Sequence, residues 1–412
     1  MSRSITAVNV VELPFWDYPG GLGRLAHDLC YQQVKWGYRV YLVGKKFSGR
    51  LPDREEIDGI TVLRMTSKYF PSPDPRNMME RIFTTRKAVR RAREEAGQID
   101  LVHTHTPLHG VAALKELSRS GTLKVNSIHS PWLMEMTAQN LWSGQRGIKN
   151  AARDFLARFA AKHIEAACFS RSDFITADSE YTRTQITRDY GKITGAKNFQ
   201  VLPGWVDTSR FSPEGPRTDW SPELGRTPRG PVFFTVRGLK PRNGLELLIQ
   251  AAALVKRAGQ DFDLVIGGQG ALREKLEALV QELKLTDRVK LLGRVEDERL
   301  PVLYRSCDAF VLPTISLECF GIIILEALAS GKPVIATPVG AIPELLAPIY
   351  PEGLISQVSA GSLAEAMIAY LREGRHRIPK DQADRFRAYV HESYSLEVGT
   401  DRFRKIYESR LR

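Results

Sequence analysis

Short apolar runs separated by helix-like stretches recur along this chain, and they restrict its fold more than any other feature. Leu101 to His105, Lys124 to His129 and Phe174 to Ala177 have the length of strands buried on both faces, and their alternation with helical segments is the signature of a parallel sheet wrapped by helices. Ile5 to Val11 reads as the first strand: it is closed by Glu12 and lacks a small-residue cleavage site, so no signal peptide is expected. The pattern restarts with Val232 to Val236, Asp263 to Ile266, Val289 to Leu292 and Ala309 to Leu312. A chain of 412 residues exceeds the size at which one core keeps growing, so two α/β domains are expected. A Pro- and Gly-rich stretch over 212–230 marks their boundary. The expected division is an N-terminal domain over 1–205, a linker over 206–230, a C-terminal domain over 231–385 and a final helical segment over 386–412.

The net charge of +12 is uneven, because residues 1–227 carry 33 Lys and Arg against 24 Asp and Glu. Such a balance suits a phosphorylated acceptor, an anionic membrane surface or nucleic acid. Neither zinc-finger spacing nor an RNP-type aromatic strand is present, so nucleic acid is not an expected partner. Residues 76–95 read as a helix crowded with Arg86, Lys87, Arg90, Arg91 and Arg93, which is either a solvated face or a face turned to an anionic membrane or phosphorylated acceptor. No run approaches the roughly 20 apolar residues of a membrane span. The cysteines, Cys30, Cys168, Cys307 and Cys319, are scattered, which argues for a reducing compartment and against structural zinc. The expected location is the cytoplasm, with a peripheral membrane contact left open.

The stretch Pro313 to Pro333, PTISLECFGIIILEALASGKP, carries the functional reading. Ile322 to Ala329 is apolar apart from Glu326 and stops at Ser330-Gly331, as a short buried helix does. A carboxylate there needs donors to offset its desolvation, and the hydroxyl pair of a ribose would supply them. Cys319, Phe320 and Gly321 offer no side-chain cap, which leaves backbone N–H groups and the positive end of the helix dipole for an anion. Glu318 lies just above that turn.

Glu318-x7-Glu326, with Phe320-Gly321 between and Gly331-Lys332-Pro333-Val334 after, resembles the donor-site motif of family-4 retaining glycosyltransferases. The resemblance runs in scattered motifs from Gly20 to Glu344 and is densest after Arg237. It implies the GT-B fold, two Rossmann-like doubly wound domains facing a central cleft, with the last helix crossing back to the first domain. It also implies transfer of a sugar from a nucleoside diphosphate, UDP-sugar being favoured over GDP-sugar, to a glycan, lipid-linked or small-molecule acceptor with retention. No cofactor and no metal are expected. Another enzyme of the same scaffold, an epimerase or a phosphorylase, is the alternative.

In this resemblance Glu318, His129 and Arg237 are the catalytic candidates, and Gly21, Gly23, Arg237, Asn243, Gly268, Gly321 and Glu326 bind the donor. Arg237 can clamp two diphosphate oxygens. His129, at a strand's carboxyl end, would touch a sugar hydroxyl. The glycines at 20, 21 and 23 would let a phosphate approach the backbone, although they do not make a dinucleotide fingerprint. Two departures stand out: Trp205 replaces the glycine of Pro-Asn-Gly-Val-Asp, and Asn243 replaces a lysine for which Lys240 or Arg242 could substitute. His103, His105 and His109 make a metal site conceivable, but no Asp, Glu or Cys clusters beside them in the sequence, and a hydrogen-bonded role is preferred.

Overall fold

The structure, a computed structural model, describes residues 4–17, 20–66, 75–118, 121–142, 148–376 and 378–411. The chain divides into two units, Met1–Thr137 with Gly144–Gly204 and Gly399–Arg412, and Ala138–Ser143 with Trp205–Val398.

Strands and helices alternate in the first unit as β1 (Thr6–Val10), α1 (Gly21–Lys35), β2 (Arg39–Lys45), β3 (Arg54–Ile57), β4 (Ile60–Met65), α2 (Pro75–Ala96), β5 (Leu101–Thr104), α3 (Pro107–Glu116), β6 (Leu123–Ile128), α4 (Trp132–Trp142), α5 (Ile148–Arg171), β7 (Phe174–Ala177), α6 (Glu180–Thr194) and β8 (Asn198–Val201). The sheet order is β3-β4-β2-β1-β5-β6-β7-β8, parallel except for β3. The central strands are buried along their whole length, which is why they read as unbroken apolar runs. Ser179 caps α6 by accepting the Thr182 amide at 3.1 Å. The edge strands β3 and β8 alternate exposed and half-buried residues, and β3 carries charge, so apolar runs do not reveal them.

The second unit contains α7 (Ser221–Leu224), β9 (Val232–Val236), α8 (Leu245–Arg257), β10 (Asp263–Gly267), α9 (Arg273–Glu282), β11 (Val289–Gly293), α10 (Leu300–Ser306), β12 (Ala309–Leu312), α11 (Ile322–Ala329), β13 (Val334–Ala336), α12 (Ile342–Leu346), α13 (Ala360–Arg372) and α14 (Lys380–Tyr394), followed by α15 (Leu396–Leu411). Its parallel sheet runs β11-β10-β9-β12-β13. The order reverses at β9 and β12, and in a doubly wound sheet ligands sit outside the carboxyl ends of the strands at such a point.

Two boundary expectations need correction. Residues 206–230 are not a free linker, since Val206, Phe211 and Trp220 are buried in the core of the second unit. The Trp220 indole donates to Ser306 O at 2.9 Å, and Phe211 lies edge-on to Tyr304. Proline and glycine here shape a packed strap, which composition alone does not distinguish from a tether. The segment over 386–412 is also not one helix: Ser395 separates α14 from α15, and residues 399–412 belong to the first unit, to which the resemblance has the last helix cross back. There the buried Tyr407 hydroxyl lies 2.6 Å from His103 Nδ1 on β5.

Tyr407→Phe deletes that hydroxyl and leaves a buried ring nitrogen unpaired. Urea denaturation is expected to show a loss of about 1–3 kcal/mol; an unchanged midpoint would mean that the contact contributes nothing.

Candidate functional site

In the second unit the carboxyl ends of β9 and β12 bring together residues far apart in sequence. Arg237 follows β9 and reaches Thr314 and Glu318, which follow β12. Arg237 Nη2 donates to Glu318 Oε2 at 2.7 Å, its Nη1 donates to Thr314 Oγ1, and that hydroxyl donates to the same carboxylate oxygen at 3.1 Å. Arg237 and Glu318 retain side-chain exposures of 7% and 14%, so the pair is largely desolvated and still touches solvent. Thr314 is fully buried, and its carbonyl accepts from Thr337 Oγ1 at 2.5 Å. The resemblance did not bring Thr314 forward, although its place four residues before Glu318 is a usable signal.

Backbone contacts fix this cluster. Gly268 (φ +127°) lies so close to Arg237 that a Cβ on it would stand 1.8 Å from the Arg237 carbonyl oxygen. Gly244 (φ +72°) approaches the Pro313 carbonyl to the same 1.8 Å, so the turn before α8 sits against the strand end that leads to Glu318. Both positions require glycine by φ and by space. Glu318 O accepts the Ala341 amide at 2.8 Å, and Leu317, just before it, holds the left-handed conformation at φ +54°.

Gly268 therefore shapes the Arg237 backbone. Asn243 is buried and donates Nδ2 to Gly238 O at 2.6 Å, so it braces the loop. Of its two proposed substitutes, Arg242 donates to Leu317 O at 2.5 Å, whereas Lys240 is exposed. Gly321, at φ +98°, precedes α11, whose first turn has no side-chain cap and no acidic residue. Glu326 lies on the less buried stripe of α11 with Ile322 and Ile323. Beside it is the fully buried Tyr304, whose phenol is driven well above its ordinary pKa by burial and then by the Glu326 carboxylate.

The first unit holds a second cluster, at the carboxyl ends of β1, β2, β5, β6 and β7. His129 is engaged through both ring nitrogens: Nδ1 lies 2.9 Å from Asp178 Oδ2 and Nε2 lies 3.0 Å from His105 Nδ1. These two contacts fix the orientation of the His129 ring. His103 bonds Tyr407 and Ser127 Oγ, the latter at 2.7 Å, and its pKa is lowered to about 3 by burial first and then by His129. Burial also keeps His105 neutral. Among the described residues no group of three or more His, Cys, Asp and Glu could hold a metal ion. Gly21 is exposed at the start of α1, whereas Gly23 is buried with its Cβ position 3.4 Å from Phe15 Cα, so Gly23 serves packing.

Glu12, just past β1, lies 2.9 Å from Arg81 and 3.7 Å from His109 Nε2. Burial would raise its pKa, but His109, Arg81 and Lys45 outweigh burial and hold it at about 2. The cations of α2 are similarly engaged: Arg86, Arg90 and Arg93 converge on Glu116 of α3, and Arg91 pairs with Glu95. The crowded positive charge read from the sequence is thus partly offset within the unit, with Lys87 exposed.

Two family models match the chain, Glycosyltransferase Family 4 over residues 19–210 and Glycosyl transferases group 1 over residues 216–390. The chain belongs to glycosyltransferase family 4. It is 32% identical over 249 residues to a GDP-mannose-dependent monoacylated alpha-(1-6)-phosphatidylinositol monomannoside mannosyltransferase of Corynebacterium glutamicum, covering 58% of this chain and 63% of that protein. It is 28% identical to a D-inositol 3-phosphate glycosyltransferase of Nocardia farcinica, over 78% of this chain and 70% of the relative. Sucrose-phosphate synthase from Thermosynechococcus elongatus superposes with a TM-score of 0.80 at 21% identity over 98% of both chains. Anabaena HepE, solved with UDP and glucose, superposes at 0.74 and 18% identity over 98% of this chain and 100% of its own. These structures show the fold: two Rossmann-like α/β units of the GT-B class.

Two outcomes follow for this family-4 enzyme. A double-mutant cycle with Arg237→Met and Glu318→Gln should give a coupling of about 1–3 kcal/mol in chemical denaturation; additive effects would show the pair to be energetically idle. Because the folded pKa of Glu12 lies below its ordinary 4.5, its stabilisation is complete above pH 4.5 and is lost as pH falls toward about 2. Glu12→Gln should therefore flatten the acid limb of the stability profile over that window, and an identical limb in both proteins would refute the assignment.

Proposed function

We propose that this glycosyltransferase takes a nucleoside-diphosphate sugar in its second unit and transfers the sugar with retention to an inositol-containing acceptor. The observation that carries the reading is the Arg237–Thr314–Glu318 cluster beside the uncapped start of α11. As the glycosidic bond breaks, negative charge grows on the diphosphate. The Arg237 guanidinium and the amides after Gly321 are the groups to stabilise it, with no resident metal or cofactor required. Glu318 then holds the donor sugar and Glu326 accepts from the ribose hydroxyls. Such a carboxylate, already ion-paired to Arg237, is a poor nucleophile, which favours a front-face displacement in which the departing phosphate takes the acceptor's proton.

GDP-mannose is the first donor to test, in place of the UDP-sugar expected from the sequence, because the Corynebacterium relative is named for it. The acceptor class rests on the same kind of support, since both relatives are named for inositol-based acceptors. The Corynebacterium protein is matched over 63% of its length, so the likeness bears on part of that relative. A cytoplasmic location belongs to this proposal; among the described residues no helix is long and apolar enough to cross a membrane.

Incubation with labelled GDP-mannose, UDP-glucose and ADP-glucose, with inositol phosphate or phosphatidylinositol as acceptor, tests the reading, and NMR of the product reports its anomeric configuration. Arg237→Ala should lower kcat about 10²- to 10³-fold, whereas Glu326→Ala should weaken nucleotide binding about tenfold through lost hydrogen bonds. Unchanged turnover in Arg237→Ala would discard the clamp, and an inverted product would discard the front-face route.

A further inference from the structure

Helices α2 and α5 are longer than the sheet they cover. At 24 residues α5 spans about 36 Å, against about 13 Å for the four-residue β7 that follows it. Both helices end just before a strand begins, so their C-terminal halves lie at the amino edge of the sheet. Val89 and Ala92 of α2 and Cys168 of α5 are accordingly buried in the sheet's core cluster. Their N-terminal halves overhang the carboxyl edge, with α3 packed against both helices.

Exposed apolar side chains gather on those overhanging halves. Met79 (67%) and Phe83 (70%) are one turn apart on α2, and Phe155 (69%), Leu156 (65%) and Phe159 (55%) share the outer face of α5. Elsewhere among the described residues, Phe47 is the one large apolar side chain exposed beyond half. Cations border the α5 stripe: Arg158 and Lys162 are exposed, and between Phe155 and Arg171 the sole carboxylate, Glu165, is fully buried. The stripe continues through His163, whose ring meets that of Phe159 at 4.0 Å, into a groove of about 480 Å³ between α5 and α6 lined by Lys162, His163, Lys192 and the Arg188–Asp189 ion pair.

We propose that the overhanging halves of α2 and α5 form a membrane-docking face, in which Met79, Phe83, Phe155, Leu156 and Phe159 enter the boundary between headgroups and acyl chains of an anionic bilayer while Arg158, Lys162 and Lys192 meet lipid phosphates. Aromatic and leucine side chains bordered by lysine and arginine are the composition of an interfacial helix. The centre of a protein–protein interface is instead depleted of lysine. On α2 Arg86, Arg90 and Arg93 share Glu116 and Arg91 pairs with Glu95, so carboxylates offset part of that helix's charge, whereas from Phe155 to Arg171 α5 carries no exposed carboxylate. This face does not depend on which donor or acceptor the enzyme uses.

Co-sedimentation of the full chain with phosphatidylcholine vesicles, with and without phosphatidylglycerol, tests the proposal by a readout separate from activity. Wild type should partition onto the anionic vesicles and retain part of that binding in high salt. Phe155→Ser with Phe159→Ser, and separately Met79→Ser with Phe83→Ser, should each weaken partitioning about tenfold and abolish the salt-resistant part. Lys162→Glu with Lys192→Glu should remove the dependence on phosphatidylglycerol. These side chains are exposed, and unchanged melting curves would confirm intact folding. The proposal is overturned if wild type ignores anionic vesicles or if the serine variants bind as wild type. It is equally overturned if light scattering shows a dimer that the serine substitutions dissociate, since a second copy would then occupy the face.

Discussion

The ion pair between Arg237 and Glu318 is the contact around which the second unit is arranged. Both side chains are nearly removed from water, a costly state unless each finds partners. Thr314 supplies a shared hydroxyl, and the backbones that carry all three residues are locked by glycines at 244 and 268 whose space no other residue could occupy. The cost of holding charge here is met by packing elsewhere: the unit's core clusters enclose the strands on both faces and leave the loops at their carboxyl ends little freedom. The proposed clamp for a developing diphosphate charge would need that rigidity, because a guanidinium that must reorganise during bond cleavage loses much of its advantage.

The first unit uses polar residues differently. Its histidines are consumed internally, in a chain that joins Asp178, His129 and His105 and in a separate one that joins Tyr407, His103 and Ser127. Its arginines on α2 meet carboxylates of α2 and α3. Burial explains the histidine chains, because an imidazolium without a partner would be expensive there, whereas the α2 arginines are part-exposed and pair at the surface. What the unit leaves toward solvent is therefore the informative part, an apolar and cationic edge at the overhanging ends of two helices.

Much of this could be read before any coordinates. The buried parallel strands, the uncapped α11 with its single acid, and Arg237 at a strand end followed from local apolarity and from the absence of capping residues. The harder features were those in which one residue type serves two purposes. Asn243 and Gly268 occupy positions that suggest ligand contact, and each also has a structural task, Asn243 bracing a loop and Gly268 clearing space for a backbone. The crowding of arginines on α2 suggested a charged face because Glu116, more than twenty residues away, is invisible to a local reading. Proline and glycine over 206–230 suggested a tether, but Trp220 anchors that strap in a core that α10, β12 and other distant segments complete.

The amino-acid sequence by itself determined the two doubly wound units, their strand positions and the motif that marks the family, because these depend on periodicity and on spacing within a few turns of chain. Tertiary structure alone decided which charges remain available. Whether a lysine, arginine or histidine is free or spent depends on carboxylates and carbonyls that folding brings to it from distant segments. That is why the pairing of Arg237 with Glu318, the histidine chain and the exposed face of α5 emerge only when the chain is folded.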